Sequence, residues 1–320
     1  MSDWQSVGNT VFRRLLFSCA NVLPGVALDR AVGDPGGAWH PVAVFGRYAG
    51  ALEQRLWADD RARGAVFCAL SVAPPVAASW WVWRRFPHLS NAAALAVALG
   101  GTTLERTGVK VAHDLERGDV EAARAWVPWL CSRDPHSLDA DGIARATVES
   151  LAENVSDAAV ASLFWSAFGA PWVVLHRCAN TLDAMVGYRN ERYRNFGWAC
   201  AKLDDALAFI PARLCAALFV AASFPEGRGR EAIRAWREDA SAHPSPNAGP
   251  VEATAAAALG VCLGGATRYA HGVEQRPVLG RGRAPRAGDV RAAVRLIRRT
   301  QWCAVGVSVA LGALVARSGA

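Results

Sequence analysis

Glu149, Glu153 and Asp157 fall at i, i+4 and i+8, so a continuous helix would carry three carboxylates along one face. Like charges at that spacing destabilise a helix unless a cation lies among them. A hard cation such as Mg2+ takes oxygen ligands and commonly bridges to substrate phosphates. A solvated acidic stripe is the blander account, weakened because Asp157 opens straight into an apolar run and Asn154 sits among the acids. A second helical face carries Asn180, Asp183 and Gly187, and Tyr188–Trp198 then groups Arg189, Asn190, Arg192 and Arg194 around Glu191 with aromatics interleaved. Arginine forks suit phosphate or carboxylate, and aromatic faces suit flat ligands. An interfacial aromatic belt with snorkelling arginines explains the same composition. Lys202 beside Asp204 and Asp205 would steady a phosphoryl group while a carboxylate holds metal, or simply start an ion-paired helix. His243 can act as acid, base or phosphate donor and Asn247 can hydrogen-bond a ligand, although Pro244, Pro246 and Gly249 by themselves shape a tight loop. Asp34 and His40 in GDPGGAWHP are candidates too, with a turn that caps a helix as the plainer account. No Walker lysine motif, dinucleotide fingerprint or nucleophile elbow is present.

The elements that must hold these groups border hydrocarbon. Hydrophobic residues make up 52% of the 320 and charged residues 20%, a balance shifted toward membrane proteins. Apolar segments run over about 15–28, 65–83, 92–104, 158–176, 206–224 and 302–316. A full crossing needs about 20 apolar residues, so 65–83 and 158–176 are the strongest candidates. Asn21 and Pro24 count against the first segment, and Pro211 and Arg213 against the fifth. The expectation is an all-α, polytopic integral membrane protein: one membrane-embedded domain over residues 1–320, four or five crossings, polar cytoplasmic loops and a cell-membrane location. Arg13 and Arg14 ahead of an apolar run look like a signal peptide, but Asp29 and Arg30 follow without a small-residue cleavage site, which points to a retained helix.

The net charge is +7 and nearly all the basic residues are arginine. No nucleic-acid-binding module accompanies them, so nucleic acid is not expected as a partner; basic loops beside apolar segments read as topology signals. Residues 225–300 hold 13 arginines against seven acids, which places that loop inside and the C-terminus outside. Residues 177–205 then fall outside despite five basic residues, so at least one flanking segment is expected to be re-entrant or buried in protein. Arg291, Arg295, Arg298 and Arg299 at helical spacing read as a face near anionic headgroups. The eight cysteines form no CxxC pair and read as packing residues.

Together the patches resemble one family. GDP-x5-HPV-x2-FGR (Gly33–Arg47), ESLAENVSD (Glu149–Asp157), NTLDAMVGYRNERYRNFGW (Asn180–Trp198), AKLDD-x4-IPAR (Ala201–Arg213) and HPSPNAG-x2-EA (His243–Ala253) have the order and spacing of the adenosylcobinamide-phosphate synthases of cobalamin biosynthesis. EQRPVLG (Glu274–Gly280) matches as well, and the resemblance covers about residues 26–300. Where the family pattern has Gly after SD and a proline in the following stretch, this chain has Ala158 and Ala161-Ser162, changes expected to alter local helix geometry and not chemistry.

That resemblance implies a membrane ligase that joins adenosylcobyric acid to (R)-1-amino-2-propanol phosphate through an amide bond, consuming ATP with Mg2+. A carboxylate condenses with an amine only after its oxygen becomes a better leaving group, which an acyl phosphate provides. Metal and basic groups must then neutralise phosphate charge, and a base must take the ammonium proton. The expected assignment has Glu149, Glu153 and Asp157 organising Mg2+-ATP with Asp204 and Asp205, the metal ligands proper being the three aspartates. Arg189, Arg192 and Lys202 would bind phosphates, with Asn154 and Asn190 beside them. Asn180, Asp183 and Asn247 would orient the corrinoid side chain or the amine, and His243 would carry the proton. All these clusters are expected around one pocket at the inner leaflet. Membrane lipid and other membrane enzymes of corrinoid assembly are the implied partners. A transporter with an intramembrane ion path, or a non-catalytic scaffold for corrinoid enzymes, would use buried acids and arginines in another way.

Overall fold

A computed structural model describes residues 2–269 and 272–316, with side chains placed for 12–266 and 275–316. In chain order the elements are α1 (Ser2–Val32), α2 (Pro41–Leu56), α3 (Arg61–Arg85), α4 (Pro87–Ala98), α5 (Gly101–Glu116), α6 (Val120–Arg124), α7 (Ala140–Asn154), α8 (Ala161–Ser166), α9 (Ala170–Val186), α10 (Trp198–Ser223), α11 (Gly229–Glu238), α12 (Ala248–Leu259), β1 (Leu263–Tyr269), β2 (Gly272–Leu279) and α13 (Ala287–Val315). A π-helical stretch, Val155–Val160, joins α7 to α8. The strands pair antiparallel, with Leu263 opposite Leu279, Gly265 opposite Arg276 and an irregularity between the two pairs. The protein is therefore helical, as its periodicity requires, with one hairpin among the described residues.

Among the described residues three helices are long and apolar enough to cross a membrane: Phe12–Val32, Arg61–Arg85 and Trp198–Glu226. Two of them contain the segments that carry Pro24 and Pro211, and both run on through the proline. A helix absorbs a proline where neighbours satisfy the freed polar groups. Asn21 is met by α4: its carbonyl accepts from Asn91 Nδ2 at 3.1 Å, and its side-chain oxygen lies 2.9 Å from His88 Nδ1. Arg213 lies 3.6 Å above the Phe209 ring and donates to the Phe209 carbonyl and to Asn247 Oδ1.

Residues 158–176 do not form the single span expected of them. The chain there passes from π-helix into the six-residue α8, turns at Gly169 and restarts at Ala170 with Pro171 in the first turn. Gly169 has φ +108°, and a Cβ there would meet the Trp83 indole at 2.8 Å, so a glycine is required at this corner. Residues 92–104 break in the same way at Gly100, φ +54°, between α4 and α5.

The contacts divide the chain into two compact units, each built from separated stretches: 1–100, 161–208 and 304–320 in the first, 101–160 and 209–303 in the second. In the first unit, α1 packs on α4, and α3 and α4 pack on α9. Its core gathers Phe67, Leu182, Val186, Phe196 and Cys200, the two phenyl rings 4.9 Å apart. Gly25 lies so close to α4 that a Cβ would come within 2.6 Å of Leu95 Cβ. In the second unit α5 and α12 both pack on α7, α11 packs on α12, and Ala232, Ala253 and Leu279 share a small-residue core. Three of the four arginines of α13 meet acids here, while Arg295 is exposed. Arg291 pairs with Glu116 through two bonds, Arg298 with the buried Glu105, and Arg299 with Glu226.

Candidate functional site

The second unit holds a buried group of ionisable side chains assembled around α7. Asp139 caps that helix by accepting the Gly142 N–H at 2.8 Å. One face of α7 then presents Glu149 and Glu153, one turn apart. The π-helical stretch begins right after Asn154, so Asp157 does not continue that ladder as a third carboxylate at α-helical spacing. Single π turns inside helices recur at functional sites.

Glu149 is 4% exposed and fully engaged. One carboxylate oxygen pairs with Arg133, and the other accepts the Gly264 N–H at 2.6 Å, which docks the hairpin on α7. Glu153 is deep in protein but keeps an accessible edge. Burial raises its pKa and the charge of Glu149 raises it further, against the lowering influence of Arg276 and Arg133. Glu252, on α12 and 2% exposed, is pushed well above the usual carboxylate range by burial first and then by Glu153 and Glu149. Like charges in one low-dielectric site cannot all ionise cheaply, which is why Glu153 and Glu252 keep their protons to higher pH than free carboxyls do.

His243 lies against this group. Its Nδ1 accepts the Ser245 N–H at 3.0 Å, and its Nε2 faces Glu252 Oε1 at 3.8 Å. Burial lowers its pKa. The loop is close-packed: a Cβ on Gly249 would lie 2.2 Å from the Ala240 carbonyl oxygen. Asn154 and Asn247 have structural partners. Asn154 ties the Leu130 carbonyl and Ser150 to α7, and Asn247 accepts from Arg213 at 2.8 Å.

The first unit holds the other group. Asn180 and Asp183 stand on one face of α9, and Asp204 of α10 hydrogen-bonds with Asn180 while the Asp183 charge lies nearby. Asn180 Oδ1 also accepts from Arg177 Nη1 at 3.3 Å. Oδ1 of Asp204 is buried with no hydrogen-bond partner. Gly187 ends α9 against this group, where a Cβ would fall 1.9 Å from Asp183 Oδ1. A cavity of about 400 Å3 adjoins Arg177, walled by apolar residues including Val42, Phe45, Val82, Val97 and Val174. An apolar pocket with few polar groups is the common form of a small-ligand site.

Most of the remaining candidates of this unit are already paired. Lys202 binds Asp205 at 3.0 Å on an exposed surface. Arg192 pairs with Glu53 at 3.1 Å and lies over the Trp57 and Tyr193 rings, while Tyr193 donates its hydroxyl proton to Glu53. Asn190 Oδ1 accepts the Tyr193 N–H, and Arg189 is exposed. His40 caps α2 by accepting the Val42 N–H, with Asp34 at 3.5 Å, so this pair shapes a turn.

Among the described residues no three His, Cys, Asp or Glu side chains are gathered to hold a metal ion. The aspartates singled out for metal fall in different units, Asp157 in the second and Asp204 with Asp205 in the first. Mg2+ in phosphoryl sites commonly takes one or two carboxylates and completes its shell with water and phosphate. Asp204, with an unsatisfied buried oxygen beside Asp183, fits that mode; Glu149 and Asp205, whose oxygens are engaged, fit it less well. Sequence reading missed Arg133, Glu252 and Arg276. Glu252 had a signal, since it closes the HPSPNAG-x2-EA motif, and so did Arg276, which lies inside EQRPVLG; Arg133 stands between Ser132 and Asp134, where a local ion pair or turn is the plainer account.

Comparison with known proteins adds an independent finding. The profile of the family described as CobD/Cbib protein matches residues 22–297. The protein from Mycobacterium tuberculosis strain H37Rv named "Cobalamin biosynthesis protein CobD" is 49% identical over 296 residues, covering 91% of this chain and 94% of its own. Its namesake from Chromobacterium violaceum is 44% identical over 301 residues, covering 90% and 95%, and that from Clostridium perfringens 33% identical over 275 residues, covering 81% and 86%. No solved structure gave a significant match.

Proposed function

Because the chain belongs to the CobD/Cbib family and so has a role in cobalamin biosynthesis, we propose that it is the ligase that closes an amide bond between adenosylcobyric acid and an aminopropanol phosphate, at the expense of ATP and as a multi-pass protein of the cell membrane. The observation that carries this reading is the buried Arg133–Glu149–Glu153–Glu252–Arg276 group with His243 at its side. Buried charge at this density is costly, and perturbed carboxyls held by arginines cluster where chemistry is done.

The amine must shed a proton before its lone pair can attack an activated acyl carbon, and a nearby base of suitable pKa speeds that loss. Glu153, with its accessible edge and raised pKa, is suited to hold and release such a proton. Arg133 and Arg276 compensate the charge that remains. In the other unit, Asp204 with Asp183 would hold Mg2+, which when bound neutralises nucleotide phosphate charge. Asn180 orients Asp204 for that role through its hydrogen bond. Arg189 and Arg194, both exposed, are the basic groups of this run that would meet a phosphate.

The experiment is purified protein in detergent with adenosylcobyric acid, (R)-1-amino-2-propanol phosphate and Mg2+-ATP. Formation of adenosylcobinamide phosphate in step with nucleotide hydrolysis supports the ligase. No product from folded protein, together with corrinoid flux across sealed vesicles, would replace it with a transporter.

A further inference from the structure

The imidazole of His243 has one nitrogen already spoken for. Nδ1 lies 3.0 Å from the Ser245 N–H, which points at it, and 3.3 Å from the Ser245 carbonyl oxygen; the shorter, directed contact makes Nδ1 the acceptor and leaves the hydrogen of the neutral ring on Nε2. A ring nitrogen that bears hydrogen has no lone pair with which to accept another proton. Nε2 is buried and has no hydrogen-bond partner, and in front of it, at 3.8 Å, stands Oε1 of Glu252. That separation exceeds a hydrogen bond by a few tenths of an ångström. The pair is sealed, the His243 side chain 5% exposed and that of Glu252 2%. An unsatisfied buried donor is unfavourable, so the two groups have reason to meet. The charged groups that act on the pair are Arg133, Glu149, Glu153 and Arg276.

We propose that His243 is a positioning residue, a fixed hydrogen-bond donor whose Nε2–H orients the buried carboxyl of Glu252, and not the group that takes the ammonium proton. The inference rests on the amide-forming reading for its activity readout, and on the ring geometry alone for its spectroscopic one.

Two substitutions and one spectrum test it. His243→Gln places an amide donor where Nε2 stood but has no basic nitrogen; His243→Ala removes both. Loss of a general base reduces rate by about 10²–10⁴-fold, and both variants would then fall by that amount. A positioning role predicts that His243→Ala falls about 10–100-fold, that His243→Gln recovers most of the loss, and that the acidic limb of kcat/KM against pH keeps its midpoint in His243→Gln. In 15N-histidine-labelled protein in micelles, the resonance lost in His243→Gln should be that of an Nε2–H tautomer, and it should move in Glu252→Gln. Equal inactivity of both variants in folded protein, or an Nδ1–H tautomer, overturns the proposal. If wild-type protein makes no product, the amide-forming reading fails and the tautomer alone decides this one.

Discussion

Replacing Arg133 by Met probes the buried group most directly, because the lost charge pairs with Glu149 and also acts on Glu153 and Glu252. Arg133 is 6% exposed and Glu149 4%, so water cannot substitute for either. Removing one member of a buried ion pair strands the other charge and destabilises by about 3–5 kcal/mol. Glu149 would keep the Gly264 N–H at 2.6 Å, which offsets part of the loss and places the expectation toward the lower end. The double variant Arg133→Met/Glu149→Gln removes both charges and keeps an acceptor for Gly264. It should be more stable than Arg133→Met alone by at least about 1 kcal/mol, the coupling expected of contacting residues. Reversible unfolding in mixed micelles, followed by far-UV circular dichroism, measures all three variants. If Arg133→Met costs less than about 1 kcal/mol, or if the two changes add without coupling, Glu149 does not depend on Arg133 and the buried-pair reasoning is wrong.

Glu153 and Glu252 both have folded pKa values raised above their ordinary value, so between the two values the native state binds more protons than the unfolded one. Their contribution to stability is complete below the ordinary carboxylate range and is lost as pH rises toward the folded pKa, by up to about 1.4 kcal/mol per pH unit per group. Glu252→Gln should flatten that decline in melting temperature between pH 5 and 8, and an unchanged slope would contradict the assignment. Gly187→Ala should cut activity by at least about tenfold and lower the melting temperature, because the added methyl must displace both the Asp183 carboxylate and the Asp183 carbonyl oxygen; steady-state rates and a melting curve decide. Asp204→Asn should weaken the Mg2+ dependence of the rate by roughly 10–100-fold, read from titration of the metal at fixed nucleotide. His176 is fully buried with neither ring nitrogen hydrogen-bonded, so His176→Leu should leave stability unchanged or raise it by about 1 kcal/mol, as a melting curve would show.

Local pattern was enough to read the helical class, the long apolar segment at residues 65–83 and the motif clusters, because helix period and hydropathy are properties of neighbours in the chain. The same pattern placed Glu149, Glu153, Asp183, Asp204 and His243 among the polar groups that the fold then buries or engages. Which segments run unbroken was decided by distant packing: Pro24 and Pro211 are carried through long helices, while Gly169 turns under Trp83, eighty-six positions away in the chain by number. Charge pairing was equally non-local. Arg133 and Arg276 have acids near them in the sequence, Asp134 and Glu274, yet they compensate the acids of α7 because the hairpin and the turn before α7 fold onto that helix. Composition determines which groups a chain must bury or solvate; only tertiary contact decides which opposite charge each of them meets, since that depends on positions far apart along the chain and close together in space.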